Sequence, residues 1–404
     1  MASPLRGLAL AATGSGPFRI SIFKEASKAV ALSYPRPQFS ADTRKLSTAS
    51  RPRNNRSFHT SPTSNSSSKF TYGIAASFSA KDRRYNPDKD IFSFNPYNRI
   101  YARRKDKRTR PASGQDAFFV SRIGESNDIA LGIADGVGGW ADSGVDPADF
   151  AHGICDYMAH AAYTCRPDGN NPPYTARSLM QRGYEDIHND ETVPYGGSTA
   201  CVAIAKADGT LEVANLGDSG FMQFRLNAIH NYSEPQTHAF NTPYQLSVLP
   251  QKVLAQAAAF GGLQFRDFPK DANVSQHMLR HGDVLIFATD GVWDNLSSQD
   301  ILRVVSRLMV GARAWEHTPD GIQIGRGLQH FIEIDGSNGA EEIPSLQSFL
   351  AVGITREAKA ASVNTKKDGP FAREVQKHYP FEYWRGGKVD DICVVVAIVV
   401  EDGK

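Results

Sequence analysis

What this 404-residue chain lacks narrows its reading before any motif does. It has four cysteines, Cys155, Cys165, Cys201 and Cys393, and no Cys-x-x-Cys pair, so zinc and thioredoxin-like chemistry are unsupported. Free thiols fit a reducing compartment, and Cys201 and Cys393 lie in strand-like runs where cysteine packs as a small apolar residue. Long apolar runs are missing. The longest, Ile392 to Val400, has nine residues, against the roughly 20 needed to span a bilayer, and its Val and Ile content predicts a strand. No Gly-x4-Gly-Lys-Ser/Thr loop occurs, because Gly386-Gly387-Lys388 runs into Val389. His-Glu-x-x-His is absent, the eleven histidines are scattered, and no repeat at solenoid spacing is found.

Excess charge is lacking overall, at +2, but it is unevenly spread. Residues 1–57 hold ten basic residues against two acids, or +8; the remainder holds 35 against 41, or −6. The acidic remainder is no obvious nucleic-acid binder. The basic, Ser- and Ala-containing start reads as a mitochondrial transit peptide over residues 1–57. Arg56-Ser57-Phe58-His59-Thr60-Ser61 is similar to a processing site of the Arg-x-Phe-x-x-Ser type. A polar, Ser-rich linker over 58–70 follows, and 71–404 reads as the folded part. The competing reading of the start is a basic tail without a targeting role.

Acids at strand ends are what is present. Ile129 to Ala134 reads as a buried strand that runs into Asp135-Gly136-Val137-Gly138-Gly139-Trp140. Val284 to Thr289 is a second strand emptying into Asp290-Gly291, and Asp390-Asp391 precedes the strand from Ile392. Asp116 opens a strand-like run whose hairpin partner ends at Asp135. In antiparallel neighbours the exit of one strand lies beside the entry of the next, so Asp116, Asp135, Asp290 and Asp390 can meet at one edge. Asp-Gly is also an ordinary turn dipeptide. Clustered carboxylates repel unless protonated or neutralised, and oxygen-only ligands suit Mg2+ or Mn2+.

The order Gln115-Asp116, Asp135 to Gly139, Gly197-Ser198-Thr199-Ala200, Asn215-Leu216-Gly217-Asp218-Ser219, Asp290-Gly291 and Asp390-Asp391-Ile392 resembles the metal-dependent protein phosphatases, the type 2C phosphatases. Trp140, the stretch from His238 to Leu246, and Gly386 to Asp391 resemble that family's mitochondrial subgroup. The resemblance implies an α+β fold, a four-layer α-β-β-α sandwich of two antiparallel sheets flanked by helices. It implies two Mn2+ or Mg2+ ions, with Asp135 bridging them, the Gly136 carbonyl on one, and Asp290 and Asp390 completing the first. Asp116 would hold metal-bound water, Asp218 matches the acid for an additional, weaker ion, and Arg110 is the candidate for gripping phosphate. The implied substrates are phosphoserine and phosphothreonine in mitochondrial proteins, in the matrix, attacked by a water that the two ions activate. Two residues depart from the family pattern: Gln115 stands where Glu is usual, and Val137 where His is frequent. They motivate an alternative, a catalytically silent phosphoprotein-binding scaffold of the same fold, against which the intact acids argue.

Local signals place further elements. Asp146-Pro147 predicts a helix start, and a second helix is expected from Thr175 to His188. Asp208-Gly209 marks a turn between strands Ser198–Lys206 and Leu211–Leu216, and Ser297-x-x-Asp300 a capping box. Residues 312–344 read as an irregular, Gly-rich excursion, with a helix from Leu346. The charge run over 99–110 reads as a solvated face or as phosphate-binding. Gly217-Asp218-Ser219-Gly220 also resembles the surroundings of a serine protease nucleophile, but no matching histidine motif accompanies it.

Overall fold

The computed structural model describes residues 69–95, 107–167, 173–249, 266–332 and 345–404, all within one compact unit, Ser66–Lys404. The expected leader, most of the expected linker and residues 99–106 of the charge run lie outside the described residues.

Two antiparallel sheets carry the architecture. The six-stranded sheet joins β1 (Phe70–Ser79), β2 (Ile91–Ser93), β8 (Gly220–Arg225), β9 (Ala228–Tyr232), β14 (Val284–Ala288) and β17 (Ile392–Glu401), in the order β2-β1-β17-β14-β8-β9. The five-stranded sheet joins β3 (Asp116–Arg122), β4 (Ile129–Asp135), β6 (Ala200–Ala205), β7 (Thr210–Leu216) and β13 (Asn273–Met278), in the order β13-β7-β6-β4-β3. Three two-stranded pairs complete the set: β5 (Gly196–Ser198) with β12 (Leu246–Val248), β10 (Thr237–Ala239) with β11 (Thr242–Pro243), and β15 (Trp315–Thr318) with β16 (Gly321–Ile324). The last pair, with the short helix Leu328–Ile332, occupies the first part of the segment expected to be irregular. Its glycines mark turns rather than absence of structure, since Gly321 has a φ of +113° between paired strands. Residues 333–344 lie outside the described residues.

The helices are α1 (Pro147–Tyr163), α2 (Ala176–His188), α3 (Asp290–Trp293), α4 (Ser298–Gly311), α5 (Leu328–Ile332), α6 (Leu346–Ser362) and α7 (Pro370–His378). Their starts follow the local chemistry. Asp146 accepts from the Ala148 N–H with proline at the first helical position, and Thr175 and Ser297 close capping boxes with Ser178 and Asp300.

Strand β17 shows how the layers are stacked. Ile392, Val394, Val396, Ile398 and Val400 face the layer of α4 and α6, packing with Ile301, Val305, Leu350 and Ile354. Cys393, Val395, Ala397 and Val399 face the other sheet and meet Leu131, Ile133, Cys201 and Val213. Alternate residues point to opposite faces, so a strand covered on both sides must be apolar throughout. The far face of the five-stranded sheet is covered by α1 and α2 through Phe150, Ile154, Met158, Leu179 and Met180. This is the expected four-layer sandwich. All four cysteines are free thiols, with Cys155, Cys201 and Cys393 buried.

Register brings the strand ends together. Asp116 pairs directly with Asp135 across β3 and β4. Ala288, the last residue of β14, lies between Val394 of β17 and Gly220 of β8. The exit of β4, the exit of β14, the entry of β17 and the β7–β8 connection therefore share one end of the sandwich. Among the described residues, no helix is long and apolar enough to cross a membrane.

The inter-sheet core has Phe287 in the middle strand of three, fully buried and stacked on Phe221 with ring centroids 5.8 Å apart. Phe287→Ala should destabilise the protein by about 3–5 kcal/mol. Urea unfolding checks this, and a loss under about 1 kcal/mol would show that the sheets can close over the space.

Candidate metal centre

The site is built from backbone outward. Asp135 ends β4, and its backbone is held at both polar groups by Thr199: the Thr199 N–H donates to the Asp135 carbonyl at 2.9 Å, and the Asp135 N–H to Thr199 Oγ1 at 3.1 Å. Thr199 Oγ1 also bonds Ser219 Oγ at 2.7 Å. Ser219 Oγ therefore meets a threonine hydroxyl rather than the histidine base that the protease-like motif would need. Gly136 follows in a crowded place, where a Cβ would come within 2.7 Å of the Pro147 carbonyl and 2.8 Å of the Gln115 carbonyl. Glycine is required there by close packing of three backbones.

Asp290 sits in the first turn of α3, at the exit of β14. The next residue, Gly291, lies so close to β17 that a Cβ would stand 1.9 Å from the Asp391 carbonyl. This approach draws the Asp290 and Asp390 segments together. Thr289 adds a crosslink: its hydroxyl donates to Asp116 Oδ2 at 2.7 Å and accepts from the Cys393 N–H at 3.0 Å. One side chain thereby ties β14 to both β3 and β17.

The two neighbouring acids of the C-terminal motif do different work. Asp391 is buried and accepts from the backbone N–H groups of Lys81 at 2.6 Å and Gln115 at 2.9 Å. It braces the segment that carries Asp116. Asp390 turns to the cluster, with Oδ2 3.0 Å from Lys388 Nζ. Lys81 approaches Asp390 from outside at 3.9 Å while donating to the Gln115 amide oxygen at 3.2 Å.

Asp116, Asp135, Asp218, Asp290 and Asp390 are drawn into one electrostatic cluster, and two residues that sequence reading did not single out join them. Asp294 lies one helical turn after Asp290, a spacing that puts both on one face and that could have flagged it. Lys388 donates to Asp290 at 2.5 Å and to Asp294 at 2.6 Å. Burial pushes the Asp116 and Asp135 carboxyls well above the usual range, and the charges of Asp391 and Asp290 respectively add to it. Burial, then Asp290, pushes Asp218 up to about 7 and Asp294 up to about 8. Asp390 is raised by the same causes. Burial also works against Asp290, but Lys388 outweighs it and holds that carboxyl below its ordinary value. Hydrogen bonds from Asp135 and Asp294 lower it further.

This donor set fits Mg2+ or Mn2+ in chemistry: it is oxygen-only, carboxylate-rich and mutually repulsive. Asp218 Oδ1 is buried with no hydrogen-bond partner among the described residues, as an oxygen intended for a cation would be. As placed, however, no three acidic, His or Cys side chains among the described residues form a ready metal-binding group. Where Asp290, Asp294 and Asp390 converge, the ammonium of Lys388 stands between them.

Arg110 is largely buried, donating to Asp149 Oδ1 on α1 at 2.9 Å, with Lys107 on the other oxygen at 2.6 Å. Val137 donates its N–H to the Gly197 carbonyl and offers no titratable group. Trp140 Nε1 donates to the Gln245 amide oxygen at 3.0 Å, joining the glycine-rich loop to the segment before β12.

Residues 105–318 match the family described as Protein phosphatase 2C. The chain is 32% identical over 334 residues to protein phosphatase 2C homolog 7, mitochondrial, of Saccharomyces cerevisiae, covering 82% of this chain and 83% of the yeast protein. It is 34% identical over 287 residues to protein phosphatase PTC7 homolog fig of Drosophila ananassae, covering 71% and 73%. Among solved structures, the photosystem II phosphatase PBCP aligns with a TM-score of 0.50 at 23% identity, covering 70% of this chain and 91% of that one, a likeness of fold. Identity sustained over four-fifths of the chain carries more than any single strand-end acid does, and by it this chain belongs to the protein phosphatase 2C family, the metal-dependent protein serine/threonine phosphatases.

Proposed function

We propose that this phosphatase works with two Mn2+ or Mg2+ ions, and a weaker additional one, on phosphoserine and phosphothreonine in proteins of the mitochondrial matrix. The observation that carries the reading is the gathering of six carboxylates, Asp116 buried and Asp135, Asp218, Asp290, Asp294 and Asp390 half-buried, with one half-buried ammonium, that of Lys388, set among the last three. Repulsion on that scale is worth building into a protein where cations are to be bound. Asp135, the Gly136 carbonyl, Asp290 and Asp390 would hold the two principal ions, and Asp218 the weaker one. When bound, the ions lower the pKa of water and offset charge on the phosphoryl oxygens.

The remaining roles belong to the chain. Asp116 has one oxygen occupied by Thr289 and so keeps a defined orientation; opposite Asp135, it would hold the attacking water. Gln115, with its amide oxygen on Lys81, contributes no charge. Val137 supplies no proton to the departing serine oxygen, which takes it from water. Arg110 would reach phosphate only by exchanging Asp149 for it. Residues 1–57 would be the import leader, 58–70 a linker and 71–404 the catalytic domain. The basic, acid-poor start and the mitochondrial name of the yeast relative support this placement.

Hydrolysis of a phosphoserine peptide, with Mn2+ or Mg2+ added and then chelated, tests the reading. Asp290→Asn should lower kcat/KM by at least about 100-fold, since even outer-shell partners of metal ligands are worth 10–100-fold, with circular dichroism unchanged. Undiminished turnover in that variant or in excess chelator would refute it.

Asp390→Asn and Asp391→Asn should fail differently. The first should weaken Mn2+ binding and leave stability within about 1 kcal/mol. The second turns an amide N–H2 toward a backbone donor that now has an acceptor, and should cost about 1–3 kcal/mol of stability. Titration calorimetry and urea unfolding on both variants decide; a reversed ranking would mean that Asp391 is the ligand.

Protein purified from mitochondria should begin after Ser57 or within about one further processing step of it. N-terminal sequencing checks this, and an intact Met1 would exclude the leader.

A further inference from the structure

Lys388 is held in an unusual way. Its backbone is clamped by one side chain: the Lys388 N–H donates to Asn295 Oδ1 at 2.9 Å, and Asn295 Nδ2 donates to the Lys388 carbonyl at 2.8 Å and to the Gly291 carbonyl at 2.9 Å. Asn295 is itself buried. The residue therefore has a fixed root beside Asp290, and only its side chain can move. That side chain reaches inward to Asp290 at 2.5 Å, Asp294 at 2.6 Å and Asp390 at 3.0 Å. Two of these are the acids proposed for the first ion.

A divalent cation on the same oxygens would lie within contact distance of the ammonium. Like charges at such separation repel strongly where water is excluded, so the two cannot be seated together. A second position for the ammonium is at hand. Its Nζ is already 5.0 Å from the centroid of the Phe371 ring, within cation–π range. Phe371 in turn packs against Trp384 at 5.2 Å and Phe240 at 5.4 Å, which keeps the ring in place.

We infer that Lys388 is an internal counter-cation that competes with the first metal ion for Asp290 and Asp390. Its ammonium neutralises the acids until the ion enters and then withdraws over Phe371, still tethered by Asn295. Lys388 is a positioning residue in this account: it keeps the acids gathered against their own repulsion, and it sets how tightly they take up metal. The inference rests on the two-metal reading above.

The test compares the full-length enzyme with Lys388→Met, which keeps an unbranched side chain one atom shorter and without its charge. Mn2+ affinity is read by titration calorimetry and thermal stability by calorimetric scanning, in chelator and in Mn2+. Lys388→Met should bind the first Mn2+ about tenfold or more tighter. Its Tm should fall in chelator and recover in Mn2+, so that the gap between the two conditions widens. A merely structural lysine would lower Tm equally in both conditions and leave the affinity unchanged. Unchanged or weaker Mn2+ binding overturns the inference. If Lys388→Met does not fold, the wild-type protein decides. Acetylation of Lys388 by an amine-reactive reagent, followed by peptide mass spectrometry, should rise several-fold when Mn2+ is added, and equal labelling overturns the inference. Wild-type protein that takes up no Mn2+ at all overturns the metal reading as well. Wild type that binds Mn2+ with no gain in the variant overturns only the role of Lys388.

Discussion

Carboxylates removed from water and set against one another must be protonated, paired or given a cation. Most of what is distinctive at one end of this sandwich answers that demand. Burial and mutual repulsion raise Asp135 and Asp294, while Lys388 supplies the positive charge that holds Asp290 below its ordinary value. Such a set of repelling acids is what the proposed metal-dependent reading draws on.

Holding repulsive groups together also needs a stiff frame. Here the frame is a few short polar side chains and close backbone approaches. Thr199 grips both backbone polar groups of Asp135; Thr289 joins Asp116 to β17; Asp391 anchors the segments of Lys81 and Gln115. Glycine at 136 and 291 allows backbones to meet where any side chain would part them. Behind these residues the central strand β17 is covered on both faces, and its pairing with β1 and β14 is held residue for residue by the backbone ladder. The rigid layers thus do for the site what no single ligand could.

The same frame separates neighbours in sequence. Asp390 and Asp391 are adjacent carboxylates at the entry to β17, both near Lys81 at 3.9 and 3.7 Å, yet only Asp390 meets Lys388 and only Asp391 accepts from the backbone amides of Lys81 and Gln115. Successive residues of an extended segment point apart, and the surroundings of each then assign its work. Arg110 is a parallel case. A guanidinium a few residues before Asp116 suggests phosphate, and the fold adds that α1 holds it on Asp149 at 2.9 Å, a pairing that phosphate would have to displace.

Local sequence was sufficient for whatever depends on local physics. The Val- and Ile-rich nine-residue run read as a strand, the helix starts were written in Asp146-Pro147, Thr175 and Ser297, and a hairpin with equal arms placed Asp116 roughly across from Asp135. Family resemblance extended this to the four layers and to the order of the acids. The hairpin β15–β16 was missed because its glycines signal a turn and loose chain alike, and only pairing distinguishes them. Asp294 and Lys388 are 94 residues apart, and no periodicity links them. Their meeting was decided by the fold, through Gly291 against β17 and Asn295 against residue 388, because charge acts through space while sequence patterns report only along the chain.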